Sequence, residues 1–288
     1  MKYIFGPVPS RRLGQSLGID PVPLKTCNWN CVYCQLGRTV PLTNERREYG
    51  PAEEILLEAE QALKAGARSE IDWVAFVGSG EPTMQSKLGG LTRHTKALTD
   101  KPIAVVTNGS VLYLSRVREE PSAADAVLPT LDAGTEEPYR KINRPHPHAT
   151  FERLVEGLSV FRKVYRGKLW VAVMLVRGLN DSAQALEEIA KVLQRVEADT
   201  IHINLPTRPP AETWVQPSDG EGLMRAISIF RNIADVVHPS GGDFDLSGYE
   251  NVLDAVVGII TRHPMRQDEL EQASTVGHRS RWAKRWQI

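Results

Sequence analysis

Cys27-Asn28-Trp29-Asn30-Cys31-Val32-Tyr33-Cys34 contains every cysteine of the chain. Three clustered thiols cannot supply a disulfide framework, and a cluster of this kind points to a metal site. A cubane [4Fe-4S] cluster normally takes four cysteines. Three leave one iron with an open position, where a small molecule can bind and react. Short cysteine spacings also describe zinc knuckles and ribbons. Zinc would need a fourth donor, and the nearest histidine downstream is His94. Three buried structural thiols are the inert alternative.

Outward from this loop, the chain has 288 residues, 41% hydrophobic and 24% charged, enough for one large core or a core with a small appendage. The formal net charge is zero, so any argument for a polyanionic partner has to be local. The first residues, through Pro9, contain no apolar h-region, and no apolar run approaches the roughly 20 residues that span a bilayer. A cytoplasmic protein without a membrane anchor is expected.

Short β-rich runs alternate with longer amphipathic stretches. Residues 71–77, 103–107, 126–131, 169–175 and 200–205 read as strands, several nearly continuous in apolar residues, as parallel strands covered on both faces are. An earlier strand is expected within 16–23. Residues 51–65, 151–165 and 182–196 carry apolar side chains at helical spacing. Repeated βα units predict an α/β protein with a parallel sheet. Right-handed crossovers then gather the loops after the strands at one mouth, where (β/α) barrels build their active sites.

Chemistry-bearing residues recur at those strand ends. Gly78-Ser79-Gly80-Glu81-Pro82-Thr83 offers glycines that let backbone approach a ligand and a carboxylate that can accept from an ammonium. It can equally be a βα turn with Pro82 opening a helix. Thr107-Asn108-Gly109-Ser110 contains a common turn pair. In Thr130-Leu131-Asp132-Ala133-Gly134, the hydroxyl and carboxylate can meet ribose hydroxyls, although Asp132 can also cap a helix.

The Cys-x3-Cys-x2-Cys spacing, with aromatic Tyr33 before the last cysteine and these segments following in order, resembles the radical SAM (S-adenosylmethionine) superfamily. The resemblance covers roughly residues 1–215. It implies a partial (β/α)6 TIM-like barrel with one [4Fe-4S] cluster on Cys27, Cys31 and Cys34, whose free iron is chelated by the methionine amino and carboxylate groups of SAM. Gly78, Ser79, Gly80, Glu81 and Pro82 look like the family's Gly-Gly-Glu-Pro motif, which binds the methionine amino group. Tyr33, Thr107, Asn108 and Gly109 would line the SAM pocket, and Thr130 and Asp132 would meet the ribose, with Thr130 where the family has serine. Arg177 would lie near the SAM carboxylate and Asn180 near the adenine. Lys141-Ile142-Asn143-Arg144-Pro145-His146 concentrates donors for the SAM carboxylate or an anionic substrate. Arg208, in a segment similar to uncharacterised family members grouped beside the wyosine tRNA synthases, can also bind an anion. His202, alternating with apolar neighbours, reads as a satisfied barrel residue.

The activity implied is reductive cleavage of SAM to methionine and a 5′-deoxyadenosyl radical, then hydrogen abstraction from an unassigned substrate. A flavodoxin or ferredoxin would supply the electron. No cysteine remains for the second cluster of 4-demethylwyosine synthases or of other multi-cluster members. RNA or tRNA modification is the substrate class that the family neighbourhood suggests; modification of a protein side chain or glycyl-radical activation is the alternative. A zinc-containing nucleic-acid-binding protein is the non-enzyme reading. Residues 1–240 are expected to form the barrel and 241–288 a helical extension. Residues 249–262 and 266–273 suggest a helix pair, possible in a helix-turn-helix module. The basic stretch 278–286, with Trp282 and Trp286, can grip RNA phosphates and stack on bases, or pack on the barrel.

Overall fold

A computed structural model describes residues 2–64 and 71–237, together with Val257 and Thr261. The expected helix pair and basic tail, apart from those two residues, lie outside the described residues. The elements run β1 (Ile4–Ser10), β2 (Gly14–Ile19), α1 (Ala52–Lys64), β3 (Trp73–Phe76), α2 (Leu88–Leu98), β4 (Ile103–Val106), α3 (Ser115–Arg118), β5 (Ala126–Leu128), α4 (Glu136–Asn143), α5 (Phe151–Val164), β6 (Lys168–Met174), α6 (Ala183–Val196), β7 (Thr200–Asn204), α7 (Gly220–Phe230) and β8 (Ala234–Val236). They form one eight-stranded sheet in the order β1 to β8. From β2 onward every pairing is parallel, and β1 adds antiparallel to β2.

The six expected strands are β2 to β7, the strands of a partial (β/α)6 barrel. The structure adds one strand at each edge. β1 contains Pro7 and Pro9, which lack the N–H that a central strand must donate, so an edge position is where this sequence can be a strand. The three expected helices are α1, α5 and α6. Thr150 and Ser182 cap the latter two, their hydroxyls accepting from the N–H groups of Arg153 and Ala185.

Each strand divides its side chains between two layers. Val74, Phe76, Ile103, Val105, Leu169, Val171, Val173, Ile201 and Ile203 face outward into the main core, packed with Ile55, Leu88, Leu158, Phe161 and Ile189 of the helices. The opposite face lines the barrel interior, where Ala75, Ala104, Ala126, Leu128 and Leu13 form a separate small cluster. Among the described residues no helix is long and apolar enough to cross a membrane.

Candidate active site

The cysteine loop follows β2, and hydrogen bonds from two sides fix it over the barrel mouth. Lys25 N–H donates to the Ser79 carbonyl at 2.7 Å and Glu81 N–H to the Thr26 carbonyl at 2.8 Å, joining it to the loop after β3. Val32 N–H donates to the Ile142 carbonyl at 2.9 Å, joining it to the end of α4. This contact explains the glycines differently from the sequence reading. A Cβ on Gly80 would stand 2.2 Å from the Thr26 carbonyl oxygen, and one on Gly78 would stand 2.4 Å from Asp20 Cγ. The space a side chain would need is taken by the protein's own cysteine loop and β2 end.

Cys27, Cys31 and Cys34 line one cavity of about 270 Å3 with Ser79, Gly80 and Asn108. Each sulfur has a nitrogen donor: Trp29 N–H at 3.4 Å and the Asn108 amide at 3.8 Å for Cys27, the Asn143 amide at 3.7 Å for Cys31, and Lys25 Nζ at 3.4 Å for Cys34. Burial, and next the Glu81 carboxylate, push the Cys27 thiol up to about 12. Burial and then the other two cysteines push the Cys31 thiol well up too. These groups become thiolates when a metal holds them. The donor set therefore fits a cluster bound by three cysteines, with N–H···S bonds that spread its charge.

A single zinc ion would need a fourth donor beside the three cysteines. Zinc needs donors within about 2.0–2.3 Å of a single point, and among the described residues no three His, Cys, Asp or Glu side chains converge in that way. His94 is exposed on α2, with Nδ1 2.9 Å from the Gly90 carbonyl of its own helix.

Beneath the cysteines lies a buried polar network. Glu81 Oε1 accepts from Thr83 N–H, Thr83 Oγ1 and Thr107 Oγ1 at 3.0, 2.5 and 2.6 Å, and Oε2 accepts from Asn108 N–H at 2.6 Å. Burial pushes the Glu81 carboxyl up against the opposing pull of those bonds. The Asn108 amide donates to Asn28 Oδ1 at 2.8 Å, and the Asn28 amide donates to Ser110 Oγ at 2.8 Å and Asn44 Oδ1 at 3.0 Å. Asn28, set between two cysteines, thus ties the cysteine loop to the loop after β4. Only its place inside the cysteine run marks it in the sequence.

Of the residues singled out from the sequence, Tyr33, Gly78, Ser79, Gly80, Glu81, Thr107, Asn108 and Thr130 line the cysteine cavity. Pro82, Gly109, Asp132, Arg177 and Asn180 do not. Asp132 is fully buried, accepting from Tyr33 OH, from the Asn143 amide at 2.7 Å and from Met174 N–H at 2.8 Å. Burial raises its carboxyl to about 6. Asn180 is equally enclosed, its amide donating to the Asp132 and Met174 carbonyls and its oxygen accepting from Val176 N–H. Both hold the strand ends in place from behind. Exposed Arg177 pairs with Asp219 at 3.5 Å, and Pro82 begins a short 3-10 turn capped by Glu81. Gly109 has φ +77°, the left-handed turn its Asn-Gly pair favours.

The donors of 141–146 are also engaged internally. Lys141 pairs with Glu137 at 2.7 Å, Arg144 with Glu212, and Asn143 is held by Asp132. His202 is not the satisfied barrel residue its pattern suggests: it is 6% exposed, and Nδ1 has no partner among the described residues. Arg208 does line the cavity, donating to Gln35 Oε1 at 2.9 Å. The sequence reading missed Lys25, Gln35 and Arg11, which lie just outside the cysteine spacing or in a hairpin turn.

Comparison with known proteins places this geometry in context. The family model of the radical SAM superfamily matches residues 22–193. UPF0026 protein MJ1312 of Methanocaldococcus jannaschii is 34% identical over 278 residues, spanning 94% of this chain and 86% of that protein. A Brachyspira hyodysenteriae protein named GTPase Obg is 38% identical over 229 residues; the match spans 80% of this chain but 33% of that protein's length. Among solved structures, TYW1 with a lysine-pyruvate adduct bound superposes with a TM-score of 0.58 at 18% identity, over 75% of this chain and 72% of that one. At that identity the likeness is one of fold.

Proposed function

The chain belongs to the radical SAM superfamily, which uses a [4Fe-4S] cluster and S-adenosylmethionine, and we propose that it abstracts a hydrogen atom from a substrate held inside its own barrel. When bound, the two cofactors supply one-electron reductive cleavage of SAM to methionine and a 5′-deoxyadenosyl radical. Cys27, Cys31 and Cys34 would hold the cluster, and the donors from Trp29, Asn108, Asn143 and Lys25 would stabilise its charge. Ser79 to Glu81 and Thr107 to Asn108, beside the cysteines, would line the methionine end of SAM. Tyr33 and Thr130 border both this cavity and the barrel interior, so they stand between cofactor and substrate. Enclosure by the barrel wall would exclude water from the radical. The electron would come from outside, from a flavodoxin or ferredoxin.

The observation that carries this reading is the convergence of the three cysteines and the strand-end residues on one cavity that adjoins a second inside the barrel. Anoxic reconstitution tests it. The wild type is expected to bind close to four iron and four sulfide per chain and, with dithionite, to release 5′-deoxyadenosine from SAM. The triple Cys→Ala variant at 27, 31 and 34 is expected to stay colourless. Full iron content and SAM cleavage in that variant would overturn the assignment.

A further inference from the structure

The barrel interior contains features that cluster and SAM binding leave unexplained. Across four strands one row of inward positions is Gly18, Ala75, Ala104 and Ala126, side chains too small to fill a barrel. Into that room the turn between β1 and β2 inserts Arg11, Arg12 and Leu13. Leu13 packs on the alanines. A cavity of about 260 Å3 remains, bordered by Arg11, Arg12 and Arg208 and by apolar Phe5, Val8 and Met174. No carboxylate is among the described residues that line it.

A guanidinium taken out of water needs a counter-charge or hydrogen bonds. Arg12 has neither among the described residues. Burial, and next the neighbouring Arg11, lower it to about 10, which leaves it charged at neutral pH. Arg11, next to it in the turn, adds a second positive charge to the same side of the cavity. The planar guanidinium fork suits carboxylate and phosphate. Arg12 borders this inner cavity and not the cysteine cavity, whereas Arg11 and Arg208 border both. An anion on Arg12 would therefore lie apart from SAM, with the body of its molecule against the apolar wall.

Taking as its premise the reading of the barrel as the substrate chamber, we propose that the inner cavity binds a small organic anion, a carboxylate or a phosphate ester, and that Arg12 is the positioning cation for its charged group. The test uses the full chain loaded anoxically with cluster and SAM. Succinate and glycerol 3-phosphate are titrated by calorimetry, with succinamide and glycerol as neutral counterparts. One anion is expected to bind at one per chain and to weaken with added chloride, its neutral counterpart not binding. Succinate binding identifies a carboxylate site and glycerol 3-phosphate binding a phosphate site. Arg12→Gln is expected to lower that affinity about tenfold or more while leaving SAM affinity unchanged. Should Arg12→Gln fail to fold by circular dichroism, Arg12→Lys, which keeps the charge and loses the fork, is expected to bind more weakly than wild type. The proposal is overturned if neither anion binds at about 10 mM, a limit near the weakest specific affinities, if the foldable variant binds as well as wild type, or if Arg12-dependent binding appears only with an RNA oligonucleotide. Loss of iron or of SAM binding by the wild type would instead strike the cofactor reading, and is measured before any anion is added.

Discussion

At the residue scale, Glu81 shows how a ligand motif is also a structural one. Its carboxylate accepts four hydrogen bonds from Thr83, Thr107 and Asn108, so most of its acceptor capacity is used before any ligand arrives. Removing it leaves buried donors unsatisfied, each costing roughly 1–3 kcal/mol. Glu81→Ala is therefore expected to lower the stability of the metal-free protein by about 2–4 kcal/mol in urea unfolding, with weaker SAM binding as a second effect. An unchanged unfolding midpoint would show that the carboxylate serves the ligand alone. Asn28 and Asn143 illustrate the opposite case. Nothing in the sequence tells what an asparagine inside a cysteine run or at the end of a helix will bond to, yet these two connect the cysteines to Asn108 and to Asp132.

Among elements, the decisive contacts are between loops. Gly80 lets the loop after β3 touch the cysteine loop backbone to backbone, and the Thr26 carbonyl cannot yield as a flexible side chain would. Gly80→Ala is expected to cost about 1–3 kcal/mol of overpacking and to lower iron content after reconstitution; full loading at wild-type stability would contradict this. The return of the cysteine loop toward α1 depends on Arg46, whose side chain is 7% exposed. It donates to the Thr83 carbonyl at 2.6 Å and pairs with Glu120 at 2.5 Å. Arg46→Met strands the half-buried Glu120 charge and is expected to destabilise the chain by about 1–3 kcal/mol, read from thermal or urea unfolding. α2 shows why some elements escape a sequence reading. Its apolar Leu88, Leu91 and Leu98 have helical spacing, but Gly89 and Gly90 weaken the signal. Gly89 is there because α2 closes on Glu120, whose Cα would lie 3.1 Å from an added Cβ.

For the whole molecule, acid sensitivity follows from one inward side chain. Burial, and next the charge of Arg12, hold His202 to about 4, against 6.5 when unperturbed. Between those values the unfolded chain binds a proton that the folded chain does not, so stability falls as pH drops from 6.5 toward 4. The gap corresponds to roughly 3 kcal/mol. His202→Phe is expected to flatten that part of the stability profile of the metal-free protein. Parallel acid limbs in variant and wild type would exclude His202 as the cause.

The cysteine spacing, the βα alternation and the strand-end segments are local patterns, and the sequence by itself determined the barrel class, the three cysteines and nine further residues of their cavity. Periodicity reports burial, and a strand end reports only which mouth a residue is near. It does not report which way a side chain turns once neighbouring strands pack beside it. Tertiary structure alone therefore decided that Asp132 and Asn180 brace the mouth from behind and that Gly78 and Gly80 make room for the protein's own chain. It likewise decided that Arg12, an ordinary turn residue in sequence, stands inside the barrel. That placement depends on the register of β1 on β2 and on a row of glycine and alanine contributed by four separate strands.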